Sequence, residues 1–246
     1  MRWLIFLTFI VLSFVEVETK ADPLVLTAQI NKFELNGQLT YLRDPGASLT
    51  LDDVAGHQFK NAFMKYDGGL NFGITTDVIW LRFEIQRAPS AATEWWLELA
   101  PPYIGEVTLY QLQGDGKRIG NRGRSAGIMF PLSMRDFRVR HSTFKLDLHS
   151  SEPQVFFVRL RSNTQLNVRG YLWQPAFYAE RSASEHLILG VYYGAFALII
   201  CIGGLRWWMD RNPRDFWWLV YLIAEALVMF RMNGFASQYI FQSFRF

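Results

Sequence analysis

Apolar residues follow two different rhythms along this chain. Between residues 22 and 180 they come in short runs that alternate with polar ones, and past residue 186 they come in long unbroken blocks. Alternation places successive side chains on opposite faces of a strand. Ile79, Leu81, Phe83 and Ile85 therefore share one face, leaving Trp80, Arg82 and Glu84 on the other, and Trp95, Leu97 and Leu99 repeat the scheme. Residues 107–111, 156–161 and 166–173 read as further strands. They are divided by turn-forming pieces such as Gln113-Gly114-Asp115-Gly116, Ser150-Ser151-Glu152-Pro153 and Ser162-Asn163. With no helical apolar period of useful length in this region, the pattern predicts one all-β, jelly-roll-like sandwich domain.

The unbroken blocks predict two transmembrane α-helices after the sandwich. Residues 187–205 contain no charge, and a helix of that length rises about 28 Å, the thickness of a bilayer's hydrocarbon core. Gly190, Gly194, Ala197, Cys201 and Gly204 recur on it at three- and four-residue spacing, a face of small side chains against which a partner helix can pack closely. Glycine is also simply common in membrane helices. Residues 216–230 form the second block, interrupted by Glu225, and Trp207, Trp208, Phe216, Trp217 and Trp218 suit an interfacial aromatic belt. The connection carries Arg206, Arg211 and Arg214, so the positive-inside rule places it in the cytoplasm and the sandwich outside. Asn212-Pro213 supplies its turn.

Met1 and Arg2 precede a run, residues 3–15, that is apolar apart from Thr8 and Ser13, the length of a signal-peptide core, with cleavage expected after Ala21. The expected organisation is a signal peptide over residues 1–21, an exported sandwich over 22–185 and a membrane region over 186–246.

Charge and composition narrow the function. Half of the residues are hydrophobic and 16% aromatic, which excludes a disordered chain. The net charge is +3, but residues 22–185 hold 18 Lys and Arg against 17 Asp and Glu, so nucleic-acid binding lacks its electrostatic footprint. Cys201 is the single cysteine and cannot form an intrachain disulfide. The run Gly114, Gly116, Gly120, Gly123 and Gly127 misses the dinucleotide spacing, with Ile119 where a third glycine should fall, and reads as a hairpin and loop. Lys117, Arg118, Arg122, Arg124, Arg135, Arg138 and Arg140 follow with Asp136 as the intervening acid, a basic stretch suited to solvent or to lipid headgroups. His57, His141, His149 and His186 show no zinc-ligand spacing, and Glu84, Glu98 and Glu106 form no evident catalytic pair. Nucleophile-elbow, kinase and cyclase motifs are absent from the sequence. The expectation is a protein without catalytic residues, metal or cofactor.

Two strand faces combine aromatic rings with guanidinium groups: Trp80 with Arg82, and Arg169 with Tyr171 and Trp173. A ring offers apolar contact to a sugar while arginine makes directed hydrogen bonds, so these five residues are the candidate small-ligand site. Tryptophan on a sandwich strand is, however, more often core.

The order of motifs resembles a known family. Leu70-Asn71-Phe72-Gly73, then Val78-Ile79-Trp80-Leu81-Arg82-Phe83, then Trp96-Leu97-Glu98-Leu99 with Pro101, then Val107-Thr108-Leu109-Tyr110 looks like the extracellular sensor domain of bacterial seven-transmembrane receptors with diverse intracellular signalling modules. Pro131-Leu132-Ser133-Met134-Arg135, Phe144-Lys145-Leu146 and Gly190-Val191-Tyr192-Tyr193-Gly194 continue in the family's order. The resemblance implies a periplasmic jelly-roll-like domain that binds carbohydrate or another small ligand, joined to seven helices in the inner membrane and a cytoplasmic output module. This sequence stops at Phe246 after two predicted spans, so the expectation is a truncated receptor whose partners are a small ligand, the lipid bilayer and further helices. A non-signalling product of a truncated gene and a membrane-anchored carbohydrate-active enzyme are the alternatives.

Overall fold

The computed structural model describes residues 23–35, 37–65, 70–113 and 123–240. The expected signal peptide and the glycine-rich turn with Lys117, Arg118 and Arg122 lie outside the described residues. Two sheets form the N-terminal domain. The first contains β1 (Leu24–Leu26), β3 (Thr40–Asp44), β4 (Met64–Lys65), β6 (Val78–Arg87), β8 (Glu106–Gln113), β9 (Arg124–Ala126) and β11 (Gln154–Arg161), in the order β4-β3-β6-β11-β8-β9. There β1 runs parallel to the far end of β6, and the other pairings are antiparallel. The second contains β2 (Lys32–Glu34), β5 (Leu70–Ile74), β7 (Glu94–Ala100), β10 (Ser142–Asp147) and β12 (Gln165–Trp173), in the order β10-β7-β12-β2, with β5 on the first half of β12.

The alternation of the sequence decides what lies between the sheets. Ile79, Leu81, Phe83 and Ile85 of β6 meet Trp95, Leu97 and Leu99 of β7 and Leu166, Val168 and Leu172 of β12 in one buried core. Each buried large side chain contributes roughly 1.5–3 kcal/mol relative to exposure. The five predicted strands are thus β6, β7, β8, β11 and β12.

A second core lies behind the first sheet. Trp80, Val78 and Phe157 pack there against Leu42, Leu51, Val54 and Leu112. The cover is α1 (Leu51–Ala55), whose start is fixed by a capping box in which Thr50 and Asp53 satisfy each other's backbone N–H groups. Both faces of β6 are consequently buried around Trp80.

After Trp173 a single residue, Gln174, separates β12 from α2 (Pro175–Asp210). Its backbone N–H donates to the Asn31 carbonyl (2.9 Å) and its side-chain amide to the Ile30 carbonyl (2.8 Å), and Pro175 is pre-set for the first helical position. The helix has 36 residues, about 54 Å at 1.5 Å per residue. It is long and apolar enough to cross a membrane, and its apolar stretch is almost entirely uncovered by the rest of the chain. It closes at Arg211, whose φ of 49° turns the chain and whose guanidinium lies 4.4 Å from the Trp208 ring centre. The Asn212 side chain then caps α3 (Pro213–Met232) by accepting from the Arg214 N–H.

The expectation of two spans is corrected here. Among the described residues α2 alone has the length and apolarity to cross a membrane. In α3, Arg214, Asp215 and Arg231 occupy the ends and Glu225 interrupts the apolar middle, and each charge is costly in hydrocarbon. The two helices nevertheless pair as a hairpin. Trp207 meets Phe216 with ring centres 5.3 Å apart at the turn, and at the other end the Asn233 amide donates to the Tyr193 hydroxyl (2.9 Å).

Candidate functional site

The outward face of the second sheet is where the sandwich meets α2. Register sets its side chains in rows: Trp96 stands between Lys145 and Trp173, and Glu98 between Thr143 and Tyr171. The first turns of α2 lie across these rows. Tyr178, Arg181 and Glu185, at helical spacings of three and four, point back onto the sheet. The Tyr178 ring sits 5.0 Å from Trp96, and its hydroxyl shares a hydrogen bond with the Thr143 hydroxyl (3.3 Å). Phe137 covers the other side of Trp96 at 4.2 Å.

Charges continue the joint. The Arg181 guanidinium donates to Glu98, whose side chain is 1% exposed, and pairs with Glu185 one turn on (2.7 Å). Glu185 also receives Arg140, which in turn donates to the Asn233 carbonyl (3.4 Å). A chain of ion pairs therefore runs from β7 through α2 to the segment before β10, and a hydrogen bond extends it to the end of α3. His141 Nδ1 lies 3.5 Å from Glu98 Oε1 without forming an aligned hydrogen bond. Above the same face, Arg181 lies 4.8 Å from the Trp173 ring and 5.9 Å from Tyr171, while Lys32 lies 4.8 Å from both. Stacked cations of this kind add about 0.5–2 kcal/mol each, more when desolvated.

Burial sets the electrostatics. It raises the Glu98 carboxyl above its ordinary value, against the opposing pull of Arg181 and the Trp173 indole. Burial, reinforced by Arg140, pushes His141 down to about 4, so the imidazole is neutral at pH 7. Arg135, buried in the connection between β9 and β10, is pushed down to about 10 by desolvation, and it remains a cation that donates to the Gly127 (2.6 Å) and Phe130 (3.1 Å) carbonyls. Among the described residues no group of three or more His, Cys, Asp or Glu side chains is placed to hold a metal ion.

The five candidate ligand residues separate into two groups. Ile79, Leu81 and Leu172 all point into the shared core, so the alternate residues of β6 and β12 lie on opposite outer surfaces of the sandwich. Trp80 is 1% exposed in the second core, with the Tyr110 ring stacked 5.9 Å away, and Arg82 faces Glu84 at 3.6 Å. A ligand on that surface would meet Arg82 rather than the indole. Tyr171 and Trp173 belong to the joint, and Arg169 is exposed in the same row set, opposite Ala100. Glu98, Arg181, Glu185, Arg140 and His141 were not singled out from sequence as a site. The signal available was Tyr178, Arg181 and Glu185 on one face of a helix just before the apolar block.

The small-residue stripe of α2 is not the face that α3 uses. Gly203, one position aside, receives Trp218 at 3.4 Å from where a Cβ would stand, whereas Gly190, Gly194 and Gly204 have nothing within 4 Å. Ala197 and Cys201 are exposed, as are Gly190 and Gly194.

Known proteins supply a frame for this arrangement. The model of the family described as 7TMR-DISM extracellular 2 matches residues 36–174. No curated protein sequence matches the chain. Similar solved structures include a glycosyl hydrolase family 2 member from Bacteroides cellulosilyticus, at 11% identity and a TM-score of 0.35, covering 58% of this chain and 20% of that one. Another is the Ruminococcus gnavus beta-glucuronidase in complex with uronic isofagomine, at 10% identity and a TM-score of 0.36, covering 61% and 30%. This chain spans less than a third of the length of those enzymes.

Proposed function

This chain belongs to the 7TMR-DISM extracellular 2 family, and from that premise we propose that it is a ligand-sensing chain whose sandwich passes its state directly to a membrane helix. The family and the apolar helix make it a membrane protein with an outward receptor-type domain. The finer reading places that domain in the periplasm of a bacterium and the Arg206, Arg211 and Arg214 turn on the cytoplasmic side of the inner membrane. The observation that carries the proposal is the joint: β12 enters α2 through Gln174 alone, and Arg181 ties the helix back to Glu98 on β7. A displacement of β12 is thereby a displacement of the helix.

The ligand is a small molecule, a carbohydrate or a carboxylated compound, bound without turnover beside Arg169 and the half-exposed Tyr171, on the part of that face that α2 leaves open, while Trp173 lies buried beneath Arg181 and Lys32. Aromatic rings flanked by cations suit both chemistries. The full chain in lipid nanodiscs, screened by thermal shift against neutral sugars and small acids, tests this. A ligand at about 100 times its dissociation constant adds roughly 2.7 kcal/mol of stability. Arg169→Ala should abolish that shift while leaving the unliganded midpoint unchanged. A ligand whose shift survives Arg169→Ala binds elsewhere, and the assignment of the face fails.

A further inference from the structure

The end of the sandwich nearest the membrane is built differently from the rest of its surface. Pro102, just past β7, packs against Gly234 at the outer end of α3, and the Gln238 amide donates to the Arg138 carbonyl (3.4 Å). The end of β7 and the segment before β10 therefore mark the bilayer side. Strand pairing identifies the other loops on that side. Ile79 of β6 pairs with Leu160 of β11, Leu160 with Val107 of β8, and Val107 with Ala126 of β9. Ile74 of β5 pairs with Gln165 at the start of β12, four residues beyond the Arg169 that faces Ala100. Ile128 and Met129 are bonded through their backbone N–H groups to the Ile104 and Gly105 carbonyls (2.9 and 3.0 Å) of the same end.

Among the described residues of the sandwich, the large apolar side chains left exposed are Val25, Met64, Ile74, Ile128, Met129 and Met134. Ile74, Ile128 and Met129 lie on the membrane-proximal loops, with Ile74 83% and Met129 63% exposed, and Met134, 66% exposed, lies on the segment that runs from Met129 to Arg138, which is bonded to Gln238 at the same end. Exposed apolar groups clustered at one end call for a partner, whereas scattered ones do not. The surface is continuous with the point where the helices leave the sandwich. Among the described residues of this end and the adjoining segment, Asp77 is matched by Arg43 (3.8 Å), Glu106 by Arg159 (3.6 Å) and Asp136 by Arg124 (2.8 Å), while Arg138 is exposed. Flexible apolar tips beside arginine suit the boundary of acyl chains and anionic headgroups.

We propose that this end of the sandwich docks on the outer leaflet, with Ile74, Met129 and Met134 inserted into the lipid boundary. Docking restrains the domain at a second point besides the joint with α2. The proposal rests on α2 crossing the membrane, and its test keeps the two apart. Nitroxide labels are placed singly, in a Cys201→Ser background of the full chain, at Ile74→Cys, Met129→Cys and Met134→Cys. Val25→Cys marks the far end, and Leu198→Cys, on the exposed side of α2, marks the bilayer interior. In nanodiscs of phosphatidylcholine with phosphatidylglycerol, collision with oxygen is compared with collision with a water-soluble nickel chelate. The expected oxygen-to-nickel ratio at positions 74, 129 and 134 is several-fold above that at 25 and below that at 198. The pair Met129→Asp and Met134→Asp should move the label at 74 towards the value at 25. If 198 favours oxygen while 74, 129 and 134 match 25, the docking surface is overturned and the span stands. If 198 itself favours nickel, α2 is not in the bilayer and both fall together.

Discussion

Arg181, within the second turn of the long helix, holds its guanidinium against the carboxylate of Glu98, which stands in the middle of strand β7 with 1% of its side chain exposed. Removing one partner of a buried pair leaves the other charge uncompensated, at a cost of about 3–5 kcal/mol. Arg181 retains 30% exposure, so water offsets part of the loss when Glu98 is removed, but not when Arg181 is. Arg181→Gln should therefore destabilise the full chain more than Glu98→Gln, with about 3 kcal/mol for the former. Denaturant unfolding in detergent micelles checks the order, and equal small losses would show that the pair is not a joint.

His141 gives the chain a pH dependence with a definite sign. Its folded value of about 4 lies below the ordinary histidine value near 6.5. Between those limits the unfolded chain binds the more protons, so stability is complete above pH 6.5 and is lost as pH falls towards 4. At about 1.4 kcal/mol per unit the loss is on the order of 3 kcal/mol. Glu98, raised by burial, acts in the opposite direction, because its folded form takes up a proton first on acidification. His141→Phe should flatten the acid limb of a stability curve, and Glu98→Gln should steepen it. An unchanged slope in His141→Phe would mean that another group titrates.

The hairpin should be sensitive at one glycine and indifferent at its neighbours. Trp218 and Leu219 of α3 fill the space beside Gly203, whereas Gly190 and Gly194 face nothing within 4 Å. Gly203→Leu forces the helices apart at about 1–3 kcal/mol, visible as a lower midpoint and a shifted Trp218 emission. Gly194→Leu should leave both unchanged. The opposite ranking would place the contact on the small-residue stripe predicted from sequence.

Period-two alternation was enough to place Ile79, Leu81, Phe83 and Ile85 in the core, because burial on one face leaves a repeating signature in the chain. It was not enough for Trp80. Its face is buried by α1 and by Phe59 and Phe63, elements distant from β6 in sequence. Glu98 shows the same limit more sharply: alternation turns it outward, where a carboxylate is ordinarily solvated, and only the return of α2 across the sheet buries it. The first turns of α2 carry no apolar periodicity, since Tyr178, Arg181 and Glu185 make a mixed polar face rather than an apolar stripe. The second predicted span rests on an apolar run, an aromatic belt and a basic connection; Glu225 and the charges at both ends leave α3 less apolar than a span that stands alone, and its return to the sandwich at Gly234 rests on its pairing with α2.

Through Gln174 and the Arg181–Glu98 pair the sandwich and the membrane helix move as one body. Electron–electron double resonance between nitroxides at Val25→Cys and Leu198→Cys, in the Cys201→Ser chain in nanodiscs, measures it directly. A single narrow distance distribution is expected, and it broadens when Arg181→Gln is added. A broad or multiple distribution in the chain with Arg181 intact would contradict it.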